Sequence, residues 1–106
     1  MITNEEILKI KDRIIATVDV EKLYLFGSYA YGTPNSDSDY DFYMVIPNNS
    51  GMRPIDAAIV ARSVLWDMKV GAVDILAGTA EIFNRRSNEV TLERKIASEG
   101  VLLYEK

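Results

Sequence analysis

Two aspartates one residue apart follow a Gly-Ser dipeptide at a fixed distance. In the stretch LFGSYAYGTPNSDSDYDF, ten residues separate Gly27-Ser28 from Asp39-Tyr40-Asp41. Because side chains alternate across a strand, Asp39 and Asp41 are expected to point to the same face. Two carboxylates that converge at a strand end are poor core residues, but they are good ligands for a hard divalent cation.

The Gly-Ser dipeptide supplies a second chemical feature. Gly27 and Ser28 follow the apolar residues of one predicted strand and precede a predicted helix start. A helix start has unpaired backbone N–H groups, which can bind a phosphate. A metal site next to a phosphate site predicts nucleotide chemistry. The alternative is a turn in which the acids are only solvated, although such a loop has no reason to carry Asp41 into a strand.

A third carboxylate, Asp74, lies within the apolar run AVDIL. An aspartate inside an apolar strand is costly unless its charge is paired or bound to a metal. One interpretation is therefore a salt bridge or a position at the edge of the sheet. The other places Asp74 on a strand next to Asp39 and Asp41, where it completes a triad. Three carboxylates can hold two cations, one on a triphosphate and one that activates the attacking hydroxyl.

The amino-acid composition limits which metals the protein can bind and which kinds of partner it can have. The 106 residues contain neither cysteine nor histidine, so any metal must be bound by oxygen, which indicates Mg²⁺ or Mn²⁺. The net charge of −4 disfavours direct nucleic-acid binding, because phosphate contacts need a basic surface. No apolar run approaches the roughly 20 residues that span a bilayer, and no signal segment is recognisable. We therefore expect one cytoplasmic domain, residues 1–106, without membrane contact.

The hydrophobic pattern predicts the elements that must position these residues. Helices are expected from a cap at Thr3 to Val18, from Pro54 to about Lys69, from Thr79 to about Arg85 and from Asn88 to about Glu99. Strands are expected at Lys22–Phe26, Tyr40–Ile46, Ala72–Ala77 and Val101–Tyr104. This order predicts an α/β (α+β) fold in which helices flank a small mixed β-sheet.

Three segments of the sequence resemble those of a known family. The stretch LFGSYAYGTPNSDSDYDF, the later VDIL and the ending EGVLLYE resemble the minimal nucleotidyltransferases of the polymerase-beta superfamily, over nearly the whole chain. The resemblance implies that Gly27 and Ser28 contact the triphosphate of ATP. It also implies that Asp39 and Asp41 bind both metals. Asp74 would bind the catalytic metal and help to deprotonate the acceptor hydroxyl.

Further side chains are weaker candidates. Many relatives carry Arg where this chain has Tyr31, and loss of that cation is expected to weaken nucleotide binding. The remaining candidates for phosphate contacts are Arg53, Arg85 and Arg86. The tyrosines expected around the site are Tyr29, Tyr31, Tyr40 and Tyr43, of which Tyr29 or Tyr31 could stack on a base. Asp37 is predicted to be solvated or to cap a turn, and not to bind the metal. Trp66 is expected in the core or at an interface.

Relatives of this type are often antitoxins encoded beside a helical HEPN-domain toxin, and some resemble AMP transferases that modify a tyrosine of that toxin. The resemblance thus implies Mg²⁺-dependent transfer of AMP from ATP to a protein hydroxyl, with a HEPN-domain toxin as partner. A second hypothesis is an antitoxin that neutralises its HEPN partner by binding alone. A third is nucleotidyl transfer to a small molecule such as an aminoglycoside, although such enzymes usually need a second domain to enclose the acceptor.

Overall fold

The computed structural model describes residues 5–34 and 39–106. The strands are β1 (Lys22–Phe26), β2 (Tyr40–Ile46), β3 (Val73–Thr79) and β4 (Val101–Glu105). The helices are α1 (Glu5–Thr17), α2 (Ser28–Tyr31), α3 (Pro54–Ser63), α4 (Ala80–Arg86) and α5 (Leu92–Glu99). The predicted caps Thr3 and Asp37 lie outside the described residues. No helix in the described ranges is long and apolar enough to cross a membrane.

The four strands form one mixed sheet in the order β3-β2-β1-β4. β1 is antiparallel to both of its neighbours, whereas β2 and β3 are parallel. Parallel neighbours require a crossover connection, and α3 provides it. Helices flank this sheet, which confirms the predicted fold class.

The side chains of β2 alternate between two hydrophobic cores on opposite faces of the sheet. Its even-numbered residues pack with α1 and α3 in the larger core. Tyr43 and Val45 face the opposite side, where they pack with Phe83 of α4 and Ile96 of α5 in the smaller core. Because side chains alternate along a strand, Asp41 points to the same face as Tyr43 and Val45. The sheet therefore presents Asp41 on the side that α4 and α5 cover.

The predicted end of α3 was wrong. The helix ends at Ser63 rather than at about Lys69. The N–H groups of Leu65 and Trp66 then bond to carbonyls three residues back, at 3.2 and 3.3 Å. Such bonds tighten the chain into turns and end the regular α-helix, although the apolar pattern continues.

The predicted start of α5 was also wrong. The helix begins at Leu92, because the side chain of Thr91, not that of Asn88, accepts a backbone N–H bond, from Arg94 at 3.2 Å. The predicted cap of α4 is confirmed, since Thr79 accepts the N–H of Ile82 at 3.2 Å. β3 runs from residue 73 to 79, beyond its predicted end at 77, and β4 extends one residue past its predicted end.

Candidate active site

Gly27 turns the chain between β1 and α2. The strand ends at Phe26 and the helix begins at Ser28, so the change of direction takes place at one residue. Gly27 has φ 77° and ψ −162°, a backbone conformation essentially restricted to glycine. Its carbonyl accepts the N–H groups of Ala30 and Tyr31 at 3.0 and 3.1 Å, which closes the single turn of α2. The glycine therefore fixes where the backbone of this short helix starts.

Asp41 lies against this turn. It pairs with Phe26 in the antiparallel ladder of β1 and β2, so it is next to the residue that precedes the turn. A Cβ atom added at Gly27 would lie 2.1 Å from Oδ2 and 3.0 Å from Cγ of Asp41. A residue without a side chain is thus required for the carboxylate to approach the backbone so closely. The strand ladder and the glycine together place Asp41 beside the predicted phosphate site.

Asp74 lies on β3, next to Asp41 in the parallel ladder. Ile75 packs in the larger core, so alternation puts Asp74 on the opposite face of the sheet, the face of Asp41. The Oδ1 atom of Asp74 is 3.7 Å from Nη2 of Arg62, and both side chains are more than half exposed. Asp74 is therefore both a strand-edge residue with an ion-pair partner and a neighbour of Asp41.

The carboxylate of Asp41 is repelled by the charges of two others. Burial raises the pKa of Asp41, and the negative charges of Asp74 and Asp39 raise it further. Asp39 itself is exposed, immediately before β2. A divalent cation would relieve this repulsion, and carboxylate oxygens are the donors that Mg²⁺ prefers. Within residues 5–34 and 39–106, however, no group of three acidic side chains is arranged to hold a metal ion.

The tyrosines expected around the site are mostly packing residues. The rings of Tyr40 and Tyr29 pack at an angle of 34° with centroids 4.4 Å apart, at the larger core. Tyr43 is buried in the smaller core against Phe83. Tyr40 and Tyr43 are therefore packing residues, and neither ring is open to a base. Tyr31 differs from these three, since its ring faces a cation on α5 and not another aromatic ring.

That cation is Lys95. Its Nζ atom lies 5.0 Å from the centre of the Tyr31 ring. The charge pattern of the sequence could not have revealed this contact, because the two residues are far apart in the chain.

Of the arginines that the sequence offered for phosphate contacts, Arg53 is engaged with Asp56, at 2.8 Å. Arg85 lies exposed in the last turn of α4.

The remaining candidate, Arg86, belongs to a network beneath α5. Its Nε atom is 3.1 Å from Oε1 of Glu93, and the Tyr43 hydroxyl donates to Oε2 of Glu93 at 3.2 Å. Burial opposes ionisation of Glu93, but a bond from its own backbone and the contacts with Arg86 and Tyr43 outweigh burial and lower its pKa. The network therefore joins β2, α4 and α5 and leaves Arg86 engaged with a carboxylate.

An exposed apolar groove runs beside Asp74 between α3 and β3. It has a volume of about 620 Å³, and Ile55, Ile59 and Leu76 contribute exposed apolar surface to its walls. Arg62, the partner of Asp74, also lines it. Trp66 is 92% exposed, so it is a surface residue and not a core residue.

A sequence profile of the family described as polymerase beta nucleotidyltransferase matches residues 8–106. The chain belongs to this nucleotidyltransferase family. The match extends from α1 to the end of β4, so it includes every residue of the candidate site. No curated protein is significantly similar in sequence.

Solved structures share the nucleotidyltransferase fold at low sequence identity. A candidate nucleotidyltransferase from Sulfolobus solfataricus is 20% identical with a TM-score of 0.63, over 92% of this chain and 76% of that one. A toxin-antitoxin structure with AMP-PNP is 21% identical with a TM-score of 0.60, over 98% and 75%. A mutant of the toxin-antitoxin MntA-HpeT is 20% identical with a TM-score of 0.57, over 98% and 75%. These likenesses establish the fold.

Nucleotidyltransferases of this family generally use a nucleoside triphosphate and a divalent metal. The residues of this chain fit such a metal in donor chemistry and in charge, because Asp41 already carries the repulsion of two neighbouring carboxylates.

Proposed function

We propose that this nucleotidyltransferase transfers AMP from ATP to a hydroxyl group on a protein, with Mg²⁺ or Mn²⁺. One observation carries the proposal: Asp41 is fixed against the Gly27 turn and is in register with Asp74 on the next strand. Asp39, Asp41 and Asp74 would then hold the metal next to the backbone that would hold the triphosphate. Gly27 would allow close approach of the phosphates, and Ser28 would donate its hydroxyl and N–H to them.

In the transfer, the acceptor oxygen attacks the α-phosphorus of ATP. A new P–O bond forms, the bond from that phosphorus to the bridging oxygen breaks, and pyrophosphate leaves. The hydroxyl proton passes to the carboxylate of Asp74, which is exposed at the edge of the sheet and so open to an incoming acceptor. Bound divalent cations would supply charge neutralisation on the phosphates and a lower pKa at the attacking hydroxyl.

We further propose that the acceptor is a tyrosine of a HEPN-type toxin, for which this protein is the antitoxin. Two structures with the same fold are toxin-antitoxin structures, one of them with AMP-PNP. The groove beside Asp74 supports a protein acceptor, because its exposed Ile55, Ile59 and Leu76 offer apolar surface at the place where the acceptor must arrive.

The test is transfer of labelled AMP from ATP and Mg²⁺ to the toxin. The Asp39→Asn, Asp41→Asn double variant should transfer none, because it loses two metal ligands while the domain stays folded. Asp12→Asn is the matched control, since Asp12 is an exposed aspartate on α1, across the sheet from the site. Transfer by the double variant at the rate of the control would contradict the proposal.

The second candidate function, neutralisation by binding alone, is favoured by one observation. Asp74 is engaged with Arg62, and within the described ranges the carboxylates do not form a ready metal site. On this view the Asp39→Asn, Asp41→Asn protein would neutralise the toxin as well as wild type does. Mass spectrometry would then find the toxin without added AMP. Neutralisation lost together with the modification would exclude it.

A further inference from the structure

Lys95 on α5 reaches across to α2. Its Nζ atom is held 5.0 Å from the centre of the ring of Tyr31, the last residue of α2. Because α2 has only one turn, the backbone of Tyr31 is about 5 Å along the helix axis from that of Ser28. We propose that Lys95 binds the phosphates of the nucleotide beside the Gly27-Ser28 turn, an inference that rests on the proposed function.

The position of α5 supports this role. Ile96, the residue after Lys95, is fully buried in the smaller core with Tyr43. That core is on the face of the sheet to which Asp41 points. The buried Ile96 thus anchors α5 on the face of the sheet that carries Asp41, and the neighbouring Lys95 is exposed with its ammonium group over the ring of Tyr31.

The charge on Lys95 is available for a ligand. Two arginines have carboxylate partners already, because Arg62 lies 3.7 Å from Asp74 and Arg86 lies 3.1 Å from Glu93. Across residues 5–34 and 39–106, no carboxylate is within ion-pair distance of Lys95.

The Tyr31 ring orients this cation without neutralising it. A ring face attracts an ammonium group but brings no negative charge, so the N–H donors of Lys95 remain free for phosphate oxygens. A triphosphate brought to a turn beside two aspartates needs such a positive group. Tyr31 is then a positioning residue for Lys95, in place of a base-stacking one.

The test is calorimetric titration with α,β-methylene ATP and Mg²⁺, a probe that retains the triphosphate but cannot transfer AMP. Lys95→Ala should weaken binding by about 10–100-fold, the loss expected for a hydrogen bond to a charged group. Lys95→Arg should restore most of the affinity. The loss should be smaller for AMP, which carries fewer phosphates, and the affinity of Lys95→Ala should depend less steeply on salt than that of wild type.

Arg94→Ala is the matched control, because Arg94 is the adjacent exposed cation on α5 and points about 100° away around the helix. Tyr31→Phe should bind like wild type, and Tyr31→Leu should lose part of the affinity. Binding by Lys95→Ala as tight as that by Arg94→Ala would overturn this inference alone. No binding of the probe by wild-type protein would overturn both this inference and the proposed function.

Discussion

Replacement of Gly27 by Ala should both strain the backbone and displace the carboxylate of Asp41. The φ of 77° and ψ of −162° cost a residue with a side chain about 1–3 kcal/mol. The new Cβ would lie 2.1 Å from Oδ2 of Asp41, so the carboxylate must move, at a further cost of about 1–3 kcal/mol. A total loss of at least about 2 kcal/mol should lower the Tm of the metal-free protein by about 8 °C or more.

Gly32→Ala separates strain from steric overlap. Gly32 has a similar φ of 80°, but no heavy atom lies within 4 Å of the Cβ that alanine would add. This variant should therefore lose only about 1–2 kcal/mol, the cost of the left-handed conformation. Thermal and urea denaturation followed by circular dichroism, in the presence of a chelator, measures both glycine variants under the same conditions.

A double-mutant cycle with Asp41→Ala identifies the origin of the larger cost. That substitution removes Oδ2 and Cγ and leaves Cβ of residue 41 as the nearest of its atoms, 3.3 Å from the added group. In this background Gly27→Ala should cost only the backbone strain, so the two substitutions should be coupled by about 1–3 kcal/mol. Additive free energies of unfolding would refute the claim that the glycine makes room for the carboxylate.

Three further predictions concern charge and binding. Asp41→Asn should raise the Tm of the metal-free protein at pH 7, because it removes a charge that burial and two carboxylates destabilise. The folded-state pKa of Asp41 is raised above 3.8, so the gain in Tm over wild type should vanish below pH 3.8, where the aspartate is protonated as well. Glu93→Gln should lower the free energy of unfolding at pH 7 by about 1–2 kcal/mol; because the folded-state pKa of Glu93 is lowered, the difference should persist above pH 4.5 and shrink as the pH falls below it. Ser28→Ala should weaken binding of ATP with Mg²⁺ by about 1–3 kcal/mol in calorimetric titration, and unchanged affinity would exclude a hydroxyl contact with the phosphates.

The bounds of a helix or strand are predicted best where a local sequence signal, such as a glycine, ends the element. β1 was predicted at its exact bounds, because a short apolar run meets Gly27. The start of α5 was missed because Asn88 and Thr91 are both good helix caps. The structure selects Thr91, whose hydroxyl also donates to the carbonyl of Arg86 at 2.6 Å and so ties the end of α4 to the start of α5. Local preference could not distinguish these caps.

In the candidate site, too, local signals predict which residues matter, but not which partners they contact. Asp74 could be singled out because a charge inside an apolar run needs a partner, and the sequence also indicated that it lies beside Asp41. The identity of its partner, Arg62, depends on how α3 packs against β3. The contact of Lys95 with Tyr31 depends likewise on the packing of α5 against the sheet. Contacts between elements distant in sequence carry no local signal.

The ion pair between Arg62 and Asp74 is only weak evidence against a catalytic role for Asp74. The two side chains are 53% and 59% exposed and their charged atoms are 3.7 Å apart, a geometry in which a pair contributes about 0–1 kcal/mol. A divalent cation held by Asp41 would attract the Asp74 carboxylate more strongly than this solvated guanidinium does, because it carries twice the charge and relieves the repulsion between the two aspartates. The pairing of Asp74 with Arg62 is therefore compatible with a metal site, and metal binding would release Arg62 to meet an acceptor that enters the groove.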